Sequence, residues 1–339
     1  MLKTSFLGLF LAFSLQTFAQ TLPELIPYRK GNMWGFCSPD KTIKIACKYE
    51  EVSEFRENLA AVRINKKWGF IDKSGKEVVA CRYESVGDFT EGLAKVKLNK
   101  QWGFIDPTGK EVISLQYEEV GDFCENLKKN CSGLARVKRN KKWGFIDKSG
   151  KEVIACQYEY AGCMCENLAA VQINKKWGFI DNTGKVVIPA QFESSLSFNE
   201  GFAAVMKNKK WGFIDKKGKE IIACQFDDAR WFFEGLAAVK IDKNKYVFID
   251  TAGKVVLPAS YEKNSVIYEQ APYEDATIFS EGLAPIQNFG RWGFIDKQGK
   301  EVIACKYGFA SIFNNGIARV LKNSDNFYID RNGTEFYEP

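Results

Sequence analysis

A Trp-Gly pair recurs along the chain at Trp34, Trp68, Trp102, Trp143, Trp177, Trp211 and Trp292, and four of the six gaps between them are 34 residues. The remaining gaps are 41 and 81 residues. A period held this far makes the chain an array of one small unit, and it overrides the two or three domains that the length alone would suggest. The 81-residue gap contains a degenerate copy at Tyr246-Val247-Phe248-Ile249-Asp250, and a last copy stands at Phe327-Tyr328-Ile329-Asp330. Nine units thus fill most of the 339 residues.

The best-preserved copy shows what each unit does. Leu59 to Ile64 is apolar and β-prone, and Asn65-Lys66-Lys67 breaks it. Trp68-Gly69-Phe70-Ile71-Asp72 is a second run, Lys73-Ser74-Gly75-Lys76 a second break, and Glu77 to Glu84 a third run. Short β-prone runs between turn residues predict a three-stranded antiparallel meander. In Asp72-Lys73-Ser74-Gly75 the Asp side chain can accept backbone N–H groups two or more residues on, and Gly75 can take positive φ. The same turn recurs at Asp106, Asp147, Asp181, Asp215, Asp250, Asp296 and Asp330, while the first unit has Ser38 there.

One such unit cannot bury a core alone, so the aromatic set of each unit (Trp68, Phe70, Tyr83 and Phe89) is expected to pack against its neighbours. On this reading a template Trp→Ala belongs among the costliest single changes, at about 3–5 kcal/mol. The fold class is all-β, a tandem array of about nine three-stranded meanders. Three strands per unit fall short of the four of a propeller blade. Both ends are also in phase with the repeat. These features favour an open, twisted, solenoid-like array, with a propeller-like ring as the alternative.

The N-terminus has the pattern of a secretory signal: Lys3, an apolar stretch from Phe6 to Leu15, and the small residues Thr17 and Ala19 before Gln20. The expected division is therefore a signal at 1–19 and the array at 20–339, with insertions near 125–133 and 262–278. The apolar stretch is too short to span a bilayer, and no other long apolar run exists, so no transmembrane segment is expected in the mature chain. Export to the periplasm, cell surface or medium follows. The chain contains no histidine. That excludes Ser-His-Asp and Cys-His catalysis and the usual histidine-bound zinc sites. A net charge of +6 makes no strong case for nucleic acid.

The string Lys-Trp-Gly-Phe-Ile-Asp-Lys-x-Gly-Lys-Glu-Val-Ile, followed by Tyr-Glu and Phe-x-Glu-Gly-Leu-Ala, resembles the WG-repeat (KWG) family of bacterial exported proteins. The resemblance runs essentially from Leu25 to Phe336, although the copies at Tyr246 and Phe327 lack the Trp-Gly pair. It implies a β-rich module and attaches no general activity or cofactor.

Several side chains invite a chemical reading. The repeated Asp series is better explained by turn capping than by catalysis or calcium, because Lys73 and Lys76 flank it. Lysine pairs such as Lys66-Lys67, Lys141-Lys142, Lys175-Lys176 and Lys209-Lys210 would line up as basic rows, balanced by rows containing Glu77, Glu84, Glu111 and Glu118. Cys47, Cys81, Cys156, Cys224 and Cys305 share one template position held elsewhere by Leu115, Ala190 and Ala259, which points to a small apolar packing role. Cys124, Cys131, Cys163 and Cys165 lie off the template and form a candidate disulfide cluster, with a four-cysteine zinc site as a lesser option. Trp231, the one tryptophan outside the template, and Phe233 are candidate ligand contacts. The expected function is that of a non-enzymatic binding or scaffolding module for an unknown protein or envelope glycan. The alternative is an envelope-polysaccharide or polyanion binder using aromatic and lysine rows.

Overall fold

The computed structural model describes residues 22–123, 133–242, 245–257, 278–288 and 290–339. The signal-type segment at 1–19, Cys124, Cys131 and nearly all of both insertions lie outside these residues. The described chain is built of β-strands in separate small sheets. None of its helices is long and apolar enough to cross a membrane.

Each unit forms the expected meander and adds a strand that the sequence did not announce. In the second unit Leu59–Ile64 pairs with Lys67–Asp72, which pairs with Glu77–Tyr83, all antiparallel. The two-residue strand Glu51–Val52, from the linker that leaves the preceding unit, then pairs with Arg63 and Val62. Most sheets therefore have four strands, and the short one ties each unit to the linker before it.

The first turn is a two-residue hairpin loop, with φ of 49° at Asn65 and 61° at Lys66. Two successive positive φ values match the right-handed twist of the flanking strands, and Asn tolerates that region well. The second turn is the Asp turn. Asp72 Oδ1 accepts from the backbone N–H of Ser74 at 2.9 Å and of Lys76 at 3.1 Å. Gly75 has φ of 83°, and its N–H donates to the Asp72 carbonyl.

The Trp-Gly pair has a steric origin. Between the pairs Trp68↔Tyr83 and Phe70↔Val79 the third strand bulges. A Cβ on Gly69 would lie 2.4 Å from the Val79 carbonyl oxygen and 2.7 Å from the Cys81 nitrogen. Only glycine lets the bulge pass that close. The Cys81 thiol then reaches across the sheet to the Val62 carbonyl at 3.7 Å.

Neighbouring units interlock through their cores and turns. Phe70 packs on Phe89 of the next linker with ring centroids 4.8 Å apart, and the pairs Phe36–Phe55, Phe179–Phe198, Phe213–Phe232 and Phe294–Phe313 repeat this spacing. Burying each such ring contributes roughly 2–3 kcal/mol before entropy. The template tryptophans are less central than expected. Phe70 is 1% exposed, but Trp68, Trp102, Trp177, Trp211 and Trp292 are only partly buried; Trp34 and Trp143 alone are buried. The phenylalanine after the glycine carries the core.

The array of separate meanders is as expected from the sequence, and no sheet rolls into a barrel. Its two ends, however, join. The first strand, Ile26–Lys30, pairs in parallel with the last, Glu335–Glu338, through Arg29↔Tyr337 and Lys30↔Glu338. Trp34 meets Tyr328 edge-on at 6.1 Å, and Arg29 forms an ion pair with Asp325 at 2.9 Å. Ile317, Tyr328 and Phe336 share one core cluster with Ile26, Trp34 and Phe36. This junction gives the array the end-to-end closure that the ring alternative carried. No split blade marks it in the sequence, since two terminal residues make the strand pairing.

Candidate functional site

The repeated acids are consumed by the fold. Every Asp turn holds its own backbone, and hydrogen bonds from Ser74, Thr108, Ser149 and Thr183 keep Asp72, Asp106, Asp147 and Asp181 below the usual carboxylate range. In five units the glutamate after the template aromatic (Glu50, Glu84, Glu118, Glu159 and Glu193) caps the next hairpin. Lys66 N–H donates to Glu50 at 3.1 Å, and Lys209 N–H donates to Glu193 at 3.0 Å. The glutamate of each linker reaches the following one. The N–H groups of Gly92, Gly235 and Gly316 donate to Glu57, Glu200 and Glu281, each at 2.9 Å. Lysines join these links, as in Lys216–Glu166 and Lys297–Glu234, both at 3.0 Å. Of the acidic rows expected from the sequence, Glu84 and Glu118 are structural braces, while Glu77 and Glu111 are exposed at the start of the third strand.

The linker position before the packed phenylalanine varies most between units: Glu54, Asp88, Asp122, Cys163, Ser197, Trp231, Ile278 and Ile312. Consecutive members meet. The Cys163 sulfur lies 3.2 Å from the Ser197 hydroxyl. Burial pushes the Glu54 carboxyl up to about 7, with Asp88 and Glu281 adding to the shift and Arg56 opposing it.

Trp231 and Phe233 are not exposed contacts. They are 8% and 9% exposed and cluster with Ile278, against Leu196 and Ile312. The sequence could not show this, because their neighbours come from other linkers. Cys163 and Cys165 bond to each other within one linker. The described residues therefore do not gather four cysteines, and Cys124 and Cys131 lie outside them. The template cysteines Cys47, Cys81, Cys156, Cys224 and Cys305 form no disulfide. Burial pushes Cys81 up to about 11, so it stays protonated.

Cross-strand rows on each sheet carry the remaining exposed chemistry. Glu51, Arg63 and Trp68 stand opposite one another on successive strands, as do Glu119, Lys138 and Trp143. Arg63 lies 5.5 Å over the Trp68 ring and Lys138 5.6 Å over Trp143. Arg63 and Lys138 are thus engaged in cation–π contacts and in ion pairs with Glu51 and Glu119, while the lysine pairs at Lys66-Lys67, Lys141-Lys142, Lys175-Lys176 and Lys209-Lys210 are exposed. In the fifth unit the equivalent row is Tyr160, Gln172 and Trp177. Tyr160 is 59% exposed, and its ring centroid lies 6.2 Å from that of Trp177. This row was missed from the sequence, although an aromatic and an amide stand where other units carry Glu51 and Arg63 or Glu119 and Lys138. A groove of about 300 Å³ also opens at the junction of the ends, lined by Arg29, Trp34, Glu50, Glu51 and Arg319.

Short sheets in tandem, each sealed by its neighbour's turn and linker, define a β-repeat protein. The model of the WG containing repeat matches residues 34–68, 68–102, 102–143, 143–177, 177–211, 211–246 and 292–324, and the chain belongs to that family. No curated protein matches the chain. Among solved structures, a eukaryotic initiation factor is similar at 13% identity with a TM-score of 0.60, over 92% of this chain and 94% of its own. The computationally designed Ika8 protein is similar at 11% identity with a TM-score of 0.54, over 84% and 93%. At these identities the likeness concerns the fold alone.

Proposed function

We propose that the chain is an exported, non-enzymatic binding or scaffolding protein. The observation that carries this reading is the internal use of its repeated acids: they cap turns and link units, and none converges on a reacting position. The absence of histidine and the protonated state of the Cys81 thiol support the same reading. What repeats outward is a rim of cross-strand rows, and such a rim suits display and contact. The signal-type N-terminus supports export.

An envelope polysaccharide is the ligand class favoured by one specific feature, the exposed Tyr160 beside Trp177. Polyanion binding through lysine rows has less support, since the carboxylates of Glu50, Glu118, Glu159 and Glu193 stand at the same hairpins as Lys66, Lys141, Lys175 and Lys209. The test is a panel of envelope fractions, purified glycans and heparin applied to the mature chain. A parallel assay searches for hydrolysis of glycans, peptides and esters. Saturable binding without turnover is expected. Reproducible turnover abolished by substituting one acid would overturn the reading.

A further inference from the structure

The rows on the units differ in what already occupies the tryptophan face. A cation stands across from the aromatic residue in several units: Arg63 over Trp68 at 5.5 Å, Lys97 over Trp102 at 5.7 Å, and Lys240 over Tyr246 at 5.9 Å. In two of those rows an acid completes the line, Glu51 before Arg63 and Asp228 before Lys240. The sixth unit (Ser194, Met206) and the ninth (Phe309, Leu321) lack both charges, and so does the fifth, which alone of these three sets an exposed tyrosine and an amide beside a tryptophan. Tyr160 replaces the acid, and Gln172 replaces the cation across from Trp177. Tyr160 has the highest exposure among the large hydrophobic side chains that face solvent. The fold gains little from such a ring, so its place needs another reason.

We propose that Tyr160, Gln172 and Trp177 form a subsite for a neutral sugar residue of a glycan. This rests on the binding-module reading given above and names its ligand class. The two rings are tilted by 48° and 6.2 Å apart, forming an open aromatic surface on which the C–H face of a pyranose can lie. Gln172 sits between them in the row, and its amide offers both donors and an acceptor. Sugar hydroxyls both donate and accept, so they match an amide. A cationic ligand would instead call for the carboxylate that Glu119 and Glu51 supply in sister rows. A polyanion would call for the lysine that the row has lost. The row carries no charge, which selects a neutral ligand.

The experiment uses the mature full-length chain and follows tryptophan emission and heat of binding with cellohexaose, maltohexaose, laminarihexaose and chitohexaose. Choline and a heparin hexasaccharide are the charged arms. Two variants are compared. Gln172→Lys installs the cation that the Lys138 row carries natively, and Tyr160→Ala removes an exposed ring, so both should melt like the parent. At least one neutral hexaose should bind saturably, and each variant should weaken it by about tenfold or more. Failure of all four hexaoses, binding unchanged in both variants, or saturation by choline alone would overturn the subsite. Heparin or protein binding without hexaose binding would remove the subsite and leave the binding-module reading standing. Shortened hexaose products on chromatography would remove the non-enzymatic reading and leave the subsite standing.

Discussion

Phe327 and Tyr337 stack face to face, with ring centroids 5.0 Å apart and planes within 7° of parallel. Phe327 stands where the template has the glycine of Trp-Gly. The last strand forms the pairs Tyr328↔Phe336 and Ile329↔Glu335 with its own unit. Tyr337 and Glu338 pair with Arg29 and Lys30 of the first. Tyr337 also donates its hydroxyl to Asp325 at 2.7 Å, and Arg29 lies 5.7 Å over its ring. The last unit lacks the template glycine, and Tyr337 stands at the junction of the first and last units. Tyr337→Ala should lower stability by about 1–2 kcal/mol, a stacked pair plus a hydrogen bond. Urea unfolding gives the magnitude. Limited proteolysis should show faster cleavage in both the first and last units. Unaltered cleavage of the first unit would sink the claim that this residue holds the ends together.

Inside the array, a methyl group on Gly69, Gly144 or Gly212 would fall 2.4–2.5 Å from a backbone oxygen of the bulged strand. Backbone cannot yield as a flexible side chain can, so each Gly→Ala should cost about 1–3 kcal/mol or more. Gly92 offers a control, since at φ of 83° it has open space around it. Gly92→Ala should cost about 1 kcal/mol, from backbone strain alone. Equal melting temperatures for Gly69→Ala and the parent would refute the steric account of the Trp-Gly pair.

What the sequence reveals follows how local each interaction is. The Asp turns were legible because donor and acceptor lie two to four residues apart. The meander was legible for the same reason. The two-residue strand Glu51–Val52 was not, because it pairs with the following unit. Trp231 looked free for a ligand only because Ile278 and Ile312, which pack around it, belong to later linkers. Tyr160 escaped notice because its row depends on the pairing of a two-residue linker strand with the following hairpin.

Glu54 should give the array a pH dependence of its own. Its folded pKa of about 7 stands above its ordinary value of 4.5. A carboxyl raised in this way favours the fold fully below about 4.5, and that contribution is lost as pH rises through about 7. Asp88 and Glu281 raise it further, while Arg56 holds it down. Glu54→Gln removes the charge and leaves an oxygen to accept from the Asn314 amide, now 3.3 Å from Glu54. The variant should gain stability relative to the parent at pH 8.5 and lose that advantage near pH 4. Melting curves at the two pH values decide it. A difference that stays constant with pH would show that Glu54 titrates normally.

The last expectation separates the two aromatic residues of the template. Phe70 is 1% exposed and packs on Phe89 at 4.8 Å, at the contact between units. Trp68 is half-buried beneath Arg63, its ring facing the rim. Removing Phe70 leaves a cavity at a place the bulged strand and the next linker cannot fill, so Phe70→Ala should cost about 3–5 kcal/mol. Trp68→Ala loses partial burial and one cation–π contact, and should cost roughly 1–2 kcal/mol. The residue that announces the repeat in the sequence is then not the one that holds it together. Thermal unfolding of both variants, made in the same unit, checks the order. A larger loss for Trp68→Ala would return the tryptophan to the core and overturn the account of the rim.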